Sequence, residues 1–208
     1  MAKLVLCFAR SRDLRLNECA HASALSDSDI NYYVACQPMA SWDDMFRAGH
    51  FRLEEPQEQV VKIVSALREN NVIRVCDLGC GPGRNLIFLA DQGFEVYGVD
   101  ISETALEMTR QKAAKLGLKV NLMKGDMTSL LFPDLFFDAV ICVYVIYHGT
   151  LYSIKRTLLE IRRVLRPGGF VLVTFQTRRS HKYGSGKEIE PNTFVQQEPP
   201  ELGIIHHF

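Results

Sequence analysis

The chain has no surplus of either charge. Its 208 residues carry 24 Lys and Arg against 24 Asp and Glu. A basic face of the kind that tracks a phosphate backbone is therefore not visible in the composition, and no nucleic-acid partner is expected. The sequence also lacks any apolar run near the ~20 residues that cross a bilayer, and the apolar stretch in "MAKLVLCFAR" is too short for a secretory signal, so no membrane partner is expected. Arg10, Arg12 and Arg15 resemble a mitochondrial transit peptide, but Asp13 and Glu18 among them argue against one. The six cysteines lack paired metal-ligand spacings, and Cys76 and Cys142 fall inside apolar runs where small buried thiols are usual. No metal is expected, and a reducing cytoplasm fits best. What the chain does have is 47% hydrophobic residues, enough for one sizeable core in a single domain.

Residues 1–30 show no sustained period and end in "SDSD", which reads as a poorly ordered N-terminal extension. Beyond them the chain alternates. "EPQEQVVKIVSALREN" repeats Val60, Ile63, Val64 and Leu67 at helical spacing, with acids early and Arg68 late, as the helix dipole favours. "VIRVCDL", "FEVYGVD", "LKVNLMKGD", "FDAVICVYV" and "FVLVTFQ" are short apolar β-type runs. Between them "RNLIFLADQG", "SETALEMTRQKAAKLG" and "YSIKRTLLEIRRVLRPGG" read as helices, the second with Ser102 as N-cap and Gly117 as C-cap. Strands alternating with helices imply an α/β fold with a doubly wound, mostly parallel sheet and helices on both faces.

"VCDLGCGPGRN", Val75 to Asn85, places three glycines at the carboxyl end of the first of these strands, where open α/β sheets bind ligands. Gly79, Gly81 and Gly83 allow a tight bend and bring bare backbone against a ligand. The spacing is G-x-G-x-G rather than G-x-G-x-x-G, with Arg84 where a small residue should pack, so a dinucleotide fits poorly. Asp77, just ahead of the loop, would repel a pyrophosphate but suits a ligand with an amino group.

These residues carry a resemblance. "VCDLGCGPG" is similar to the first motif of the class I, Rossmann-like S-adenosylmethionine (SAM) dependent methyltransferases, and the likeness runs from about Trp42 to the C-terminus, toward small-molecule and tellurite-resistance-type members. The resemblance implies SAM as cofactor and S-adenosylhomocysteine as product. It assigns Asp77, Gly79, Cys80, Gly81, Gly83 and Asn85 to the cofactor loop. Asp100, ending "VYGVD", matches the acid that holds the ribose hydroxyls, with Ile101 beside it. "GDM" resembles the adenine-side segment, Asp126 taking the exocyclic amine and Met127 lying against the ring. "FDAVICVYVIYH" is similar to the fourth strand and its loop, so Cys142 and Val143 should border the cofactor. Tyr144, Tyr147 and His148 then stand where relatives face the transferred methyl, and Tyr144 and His148 are the candidate catalytic pair. A histidine there could accept a proton from the acceptor, or it could merely hold the loop, and the tyrosines could simply pack.

No Asn/Asp-Pro-Pro-aromatic tetrad, which in related enzymes grips a planar amide or base amine, follows the fourth strand, and no cysteine follows a proline as cytosine C5 enzymes require, which favours a small-molecule acceptor. His206 and His207 point opposite ways in any regular element and make poor metal ligands. The methyltransferase domain is expected over residues 31–208, with a helical lid at 31–70 containing Trp42, Met45, Phe46 and Phe51, a cofactor-binding core at 71–176, and a substrate-side loop at 177–208. The family's last antiparallel strand pair is expected to be missing, as in a short form or a fragment. The strand at 170–176 would then have an open edge, shielded by "TFVQQ" folding back or satisfied by self-association. The function expected is transfer of the SAM methyl to a small molecule. The alternatives are a SAM-binding module or partner subunit without catalysis and, further off, an NAD-dependent oxidoreductase.

Overall fold

The computed structural model describes residues 41–51 and 53–208, together with the backbone of residues 3–8. A six-stranded sheet runs in the order β1-β6-β5-β2-β3-β4. Its strands are β1 (Lys3–Phe8), β2 (Arg74–Leu78), β3 (Glu95–Asp100), β4 (Asn121–Lys124), β5 (Phe137–Cys142) and β6 (Leu165–Phe175). All neighbours are parallel except β1, which lies antiparallel on β6. The described helices are α1 (Trp42–Arg47), α2 (Glu58–Glu69), α3 (Arg84–Asp91), α4 (Glu103–Leu116) and α5 (Leu151–Val164).

The central strands read as unbroken apolar runs because both faces are covered. Alternation then sorts their side chains between two cores. Val75, Ala139, Ile141 and Leu172 pack with Val60, Val64 and Leu67 of α2, Leu86 and Leu89 of α3 and Leu106 of α4. Cys76, Leu78, Val140, Cys142 and Val173 pack on the opposite face with Ile154 and Ile161 of α5 and with Phe132 and Phe137. Helix α4 begins and ends where Ser102 and Gly117 signal it: the Ser102 hydroxyl accepts from the Ala105 amide, and Gly117 takes a left-handed conformation. Asp138, at the far end of the sheet from the glycine loop, accepts the amides of Ile73 and Arg74 at 2.7 and 2.8 Å and pairs with Arg166, tying the starts of β2, β5 and β6 together.

Two expectations need correction. Residues Lys3–Phe8, read as part of a poorly ordered extension, form β1, and the register Lys3↔Phe175 to Phe8↔Phe170 covers the edge of β6. That edge is therefore not open, and "TFVQQ" does not shield it. The rest of the 1–30 extension lies outside the described residues. The segment at 177–208, expected as a loop, instead carries a three-stranded antiparallel sheet of β7 (Lys187–Glu190), β8 (Thr193–Val195) and β9 (Ile205–His207). Glycine and proline obscured these strands because they sit in the turns between very short runs.

The order of the large sheet reverses between β2 and β5. Strands β3 and β4 lie to one side, β6 and β1 to the other, so a crevice opens at the carboxyl ends of β2 and β5.

Candidate active site

A cavity of about 600 Å³ fills that crevice. One wall is the loop after β2. Gly81 has φ +53°, and a Cβ built there would meet only the Phe46 ring at 3.6 Å, so the loop leaves room for a ligand rather than for a side chain. The loop's shape is held from behind. Gly81 donates its amide to Asp100 Oδ2 at 2.7 Å and its carbonyl accepts from Thr109 Oγ1 at 2.9 Å. Gly79 and Cys80 both donate to the Val99 carbonyl, at 2.7 and 3.0 Å.

Asp100 is buried at the end of β3, its second oxygen accepting from the Ser102 amide at 2.9 Å. Asp77 lies deeper, 2% exposed, with Oδ2 lacking any hydrogen-bond partner. Burial first, and the Asp100 charge second, push Asp77 up to about 7, with Arg84 opposing. A buried carboxyl that keeps one oxygen unpaired suits a cationic amine, which would favour its ionised form, better than a phosphate.

Helix α1, the expected lid, contributes Trp42 and Phe46 to the cavity wall. Ser41 and Asp44 form a reciprocal capping box at its start. Asp43 reaches across to α4, accepting from the Ser102 hydroxyl at 2.6 Å and the Thr104 amide at 2.9 Å. Those bonds, the Ser102 hydroxyl first, hold the Asp43 carboxyl below its ordinary range. Trp42 meets the His148 ring edge-on at 4.9 Å. Asn85 accepts the Gln57 amide at 2.9 Å, seating the approach to α2 on the start of α3.

Beyond β5 the backbone turns sharply. Tyr144 has φ 62°, unusual for a residue with a side chain, and its amide donates to Thr174 Oγ1 at 2.6 Å. Such strain is retained where surrounding contacts over-determine it, commonly at functional sites. His148 is half-buried and follows on the same loop. Enclosure first, and His206 second, lower it to about 3, so the ring is neutral and a weak proton acceptor. The small sheet closes this end: the His207 amide donates to the Tyr147 carbonyl at 2.8 Å, and Leu151 donates to Glu190.

The sequence-derived residues divide accordingly. Gly79, Cys80, Gly81, Asn85, Asp100, Ile101, Asp126, Met127, Val143, Tyr144 and His148 line the one cavity. Asp77, Gly83 and Cys142 do not line it. Gly83 serves as the left-handed N-cap of α3, with no room for a Cβ beside Thr109, so it shapes the turn and bares no backbone to a ligand. Cys142 points into the core below α5, and burial raises its thiol to about 12, which leaves it inert. Asp126 spends one oxygen on the Thr128 amide and hydroxyl, at 2.7 and 2.8 Å.

Sequence reasoning did not foresee Gln176, Lys182, Glu201 and His206 at the cavity. The alternation of "HH" puts His206 inward and His207 onto Thr193, and only pairing with β8 decides which is which. The residues present suit SAM: an acid for ribose at Asp100, a glycine turn with space beside it, and an unpaired buried carboxyl oxygen on Asp77.

Comparison with known proteins agrees with this geometry. Residues 75–169 match the family model described as a methyltransferase domain. The ubiquinone biosynthesis O-methyltransferase of Rickettsia prowazekii is 30% identical over 139 residues, covering 67% of this chain and 53% of that protein. Bacillus subtilis YqeM is 35% identical over 167 residues, covering 73% of this chain and 64% of that one. The chain thus spans between about half and two-thirds of the length of these relatives. Among solved structures, a SAM-dependent methyltransferase from Methanosarcina mazei superposes with a TM-score of 0.58 at 26% identity, covering 68% of this chain and 77% of that chain. With the motif loop, the strand-end acid and the sheet order in place, the chain belongs to the class I, Rossmann-like SAM-dependent methyltransferases.

Proposed function

We propose that this chain transfers the methyl group of SAM to a small-molecule acceptor enclosed between the ends of β2 and β5 and the lid helix α1. The observation that carries this reading is the coupling of the glycine loop to the strand-end acid, Gly81 N to Asp100 Oδ2, in the wall of a cavity large enough for two small ligands. Asp100 and Ile101 would hold the ribose side and Asp126 and Met127 the adenine side, while Asp77, buried behind the glycine loop, would favour the cationic amino-acid end by its charge. When bound, SAM supplies an electrophilic methyl on a good leaving group, so the protein's part is alignment and exclusion of water. Trp42, Phe46 and Phe51 supply the apolar cover for that exclusion. Tyr144, held in its strained conformation by Thr174, faces the remaining space and orients the acceptor.

The described cysteines Cys76, Cys80 and Cys142 are buried and free, which supports a reducing, cytoplasmic setting. Among the described residues no helix is long and apolar enough to cross a membrane. Calorimetry with SAM, S-adenosylhomocysteine and NAD tests the cofactor. Release of S-adenosylhomocysteine in the presence of phenols, thiols, amines and metalloid oxyanions tests the reaction. Binding of NAD in preference to SAM, or SAM binding with no turnover of any acceptor class, would overturn the reading.

A further inference from the structure

Buried polar atoms without partners gather at one end of the cavity. Among the described residues such side-chain atoms belong to Gln59, Asp77, His148, Gln176, Thr177 and His206. Three of them line the cavity together, His148, Gln176 and His206: the His148 and His206 rings lie 4.7 Å apart, Tyr147 stands 6.1 Å from His206, and Gln176 bonds Tyr147. Folded proteins pair nearly all buried polar groups, so a cluster of unpaired ones lining a cavity marks a place for a polar group of a ligand.

The two imidazoles there are not equivalent. His148 stays neutral and packs against Trp42. His206 is 1% exposed, with Nε2 3.3 Å from Glu201 Oε2 but out of line for a hydrogen bond, and with Nδ1 unpaired. Contact with His206 and then with Lys182 holds Glu201 down near 2, so a carboxylate stands beside the ring, ready to balance the charge an imidazolium acquires. The titratable groups facing His206 are Glu201, His148, Tyr147 and, through Glu201, Lys182; β8 opposes it only with Phe194.

We propose that His206, oriented by Glu201, takes the proton of the methyl acceptor, and that the acceptor is a largely apolar molecule bearing an acidic hydroxyl, a phenol in chemical class. This rests on the methyl-transfer reading above. A largely apolar body follows from the Trp42, Phe46 and Phe51 side chains that line the cavity, and a hydroxyl from what the polar end asks for. Oxygen can pair strongly with the unpaired atoms of His206, His148 and Gln176, whereas sulfur pairs weakly. An ammonium would meet Lys182, and a carboxylate needs no base. A phenol near pKa ~10 lies within reach of an imidazole, which an aliphatic alcohol does not. In the step, the O–H proton passes to His206 and the freed oxygen pair forms the bond to the methyl carbon. The carbon–sulfur electron pair stays on sulfur as S-adenosylhomocysteine departs.

The test uses the full chain, with SAM as methyl donor and catechol and 2,3-dihydroxynaphthalene as acceptors, against thiophenol and aniline. The wild-type chain should turn over the two hydroxyl probes. His206→Gln should lower kcat about 100- to 10,000-fold with S-adenosylhomocysteine affinity unchanged. Glu201→Gln should lower kcat about tenfold or more and shift the acid limb of the pH–rate profile. Independently of turnover, nitrogen-15 NMR at one fixed pH should show the His206 ring-nitrogen resonances of Glu201→Gln displaced from those of the wild-type chain, because the carboxylate 3.3 Å from Nε2 is gone. That measurement stands if His206→Gln fails to fold. SAM binding without turnover of either hydroxyl probe overturns the proposal and spares SAM binding itself; turnover of thiophenol or aniline alone overturns it and spares methyl transfer. Wild-type kcat in folded His206→Gln, or unmoved His206 ring-nitrogen resonances in Glu201→Gln, also overturns it. Failure to bind SAM fells both readings.

Discussion

Gly81 and Asp100 form one hydrogen-bonded unit: the loop amide reaches Oδ2 at 2.7 Å, while Oδ1 takes the Ser102 amide at 2.9 Å. The same carboxylate thus fixes the glycine loop, starts α4 and faces the cavity. Asp100→Ala should weaken SAM binding by about 1.5 to 3 kcal/mol, the worth of a charge-assisted hydrogen bond to a buried partner. Calorimetry against SAM reads this directly. Unchanged affinity would show that the acid only holds the loop.

Gly81→Val separates the loop from the fold. Its φ of +53° strains a β-branched residue, and the open space beside it is cavity, so the new methyl groups enter the ligand's volume. Binding should be lost while the cooperative unfolding transition persists. Gly83→Ala should do the opposite, because a Cβ there would stand 2.5 Å from Thr109 Cγ2 and disturb the join between α3 and α4. A Gly81→Val chain that binds SAM normally would reduce the loop to a simple turn.

Asp77 gives a pH dependence of defined sign. Its folded pKa of about 7 lies above the ordinary carboxylate value of 3.8, so the folded chain holds more protons than the unfolded one between these values. Stability contributed by this group is full below about pH 4 and is lost as pH rises through 7, in all about 4 kcal/mol at ~1.4 kcal/mol per unit. His148 acts in the reverse sense, since a pKa lowered to about 3 adds stability as pH rises from there to 6.5. Asp77→Asn isolates the first effect. Urea unfolding should show the variant gaining on the wild-type chain at pH 8 relative to pH 5, with SAM affinity reduced. Equal stability differences at both pH values would rule out the buried-acid account.

Trp42 is the chain's one tryptophan and stands edge-on to His148 at 4.9 Å. Its fluorescence therefore reports the lid. His148→Ala should red-shift the emission, and Asp43→Ala, which removes the bonds to Ser102 and Thr104, should do likewise. SAM should blue-shift the wild-type signal by drying the lid. Emission indifferent to all three changes would show that α1 is not a cover.

The glycine-loop side of the cavity was legible because its residues obey local rules. Glycines at a strand end, an acid ending the next strand and an N-capping Ser102 each announce themselves within a few positions. The opposite end was not. Lys182, Glu201 and His206 come from a segment whose strands are three or four residues long, too short for alternation to stand out, and they meet only through tertiary packing. Thr109, which holds the Gly81 carbonyl from the middle of α4, carries no sign of that role in its neighbours. His148 does line the cavity, but its enclosure, which decides its basicity, is a property of the fold. The edge of β6 was misjudged for a similar reason: "KLVLCF" is an ordinary short apolar run until a partner strand gives it a register.

That edge yields the last expectation. In β6, "FVLVTF" pairs residue for residue with "KLVLCF" of β1 over Lys3–Phe8. The interior neighbour β5 occupies the other side of β6, so β1 is what stands between this apolar strand and any other chain. Removing residues 1–8 would leave the amides and carbonyls on the outer edge of Phe170–Phe175 unpaired, a template for another copy of the same strand. The truncated chain should scatter light as dimers or larger species where the full chain does not, and amide exchange at residues 170–175 should quicken in whatever monomer remains. A truncated chain that stays monomeric with those amides still protected would show that β1 adds nothing to the sheet and that β6 is stable by its packing against β5 and α5 alone.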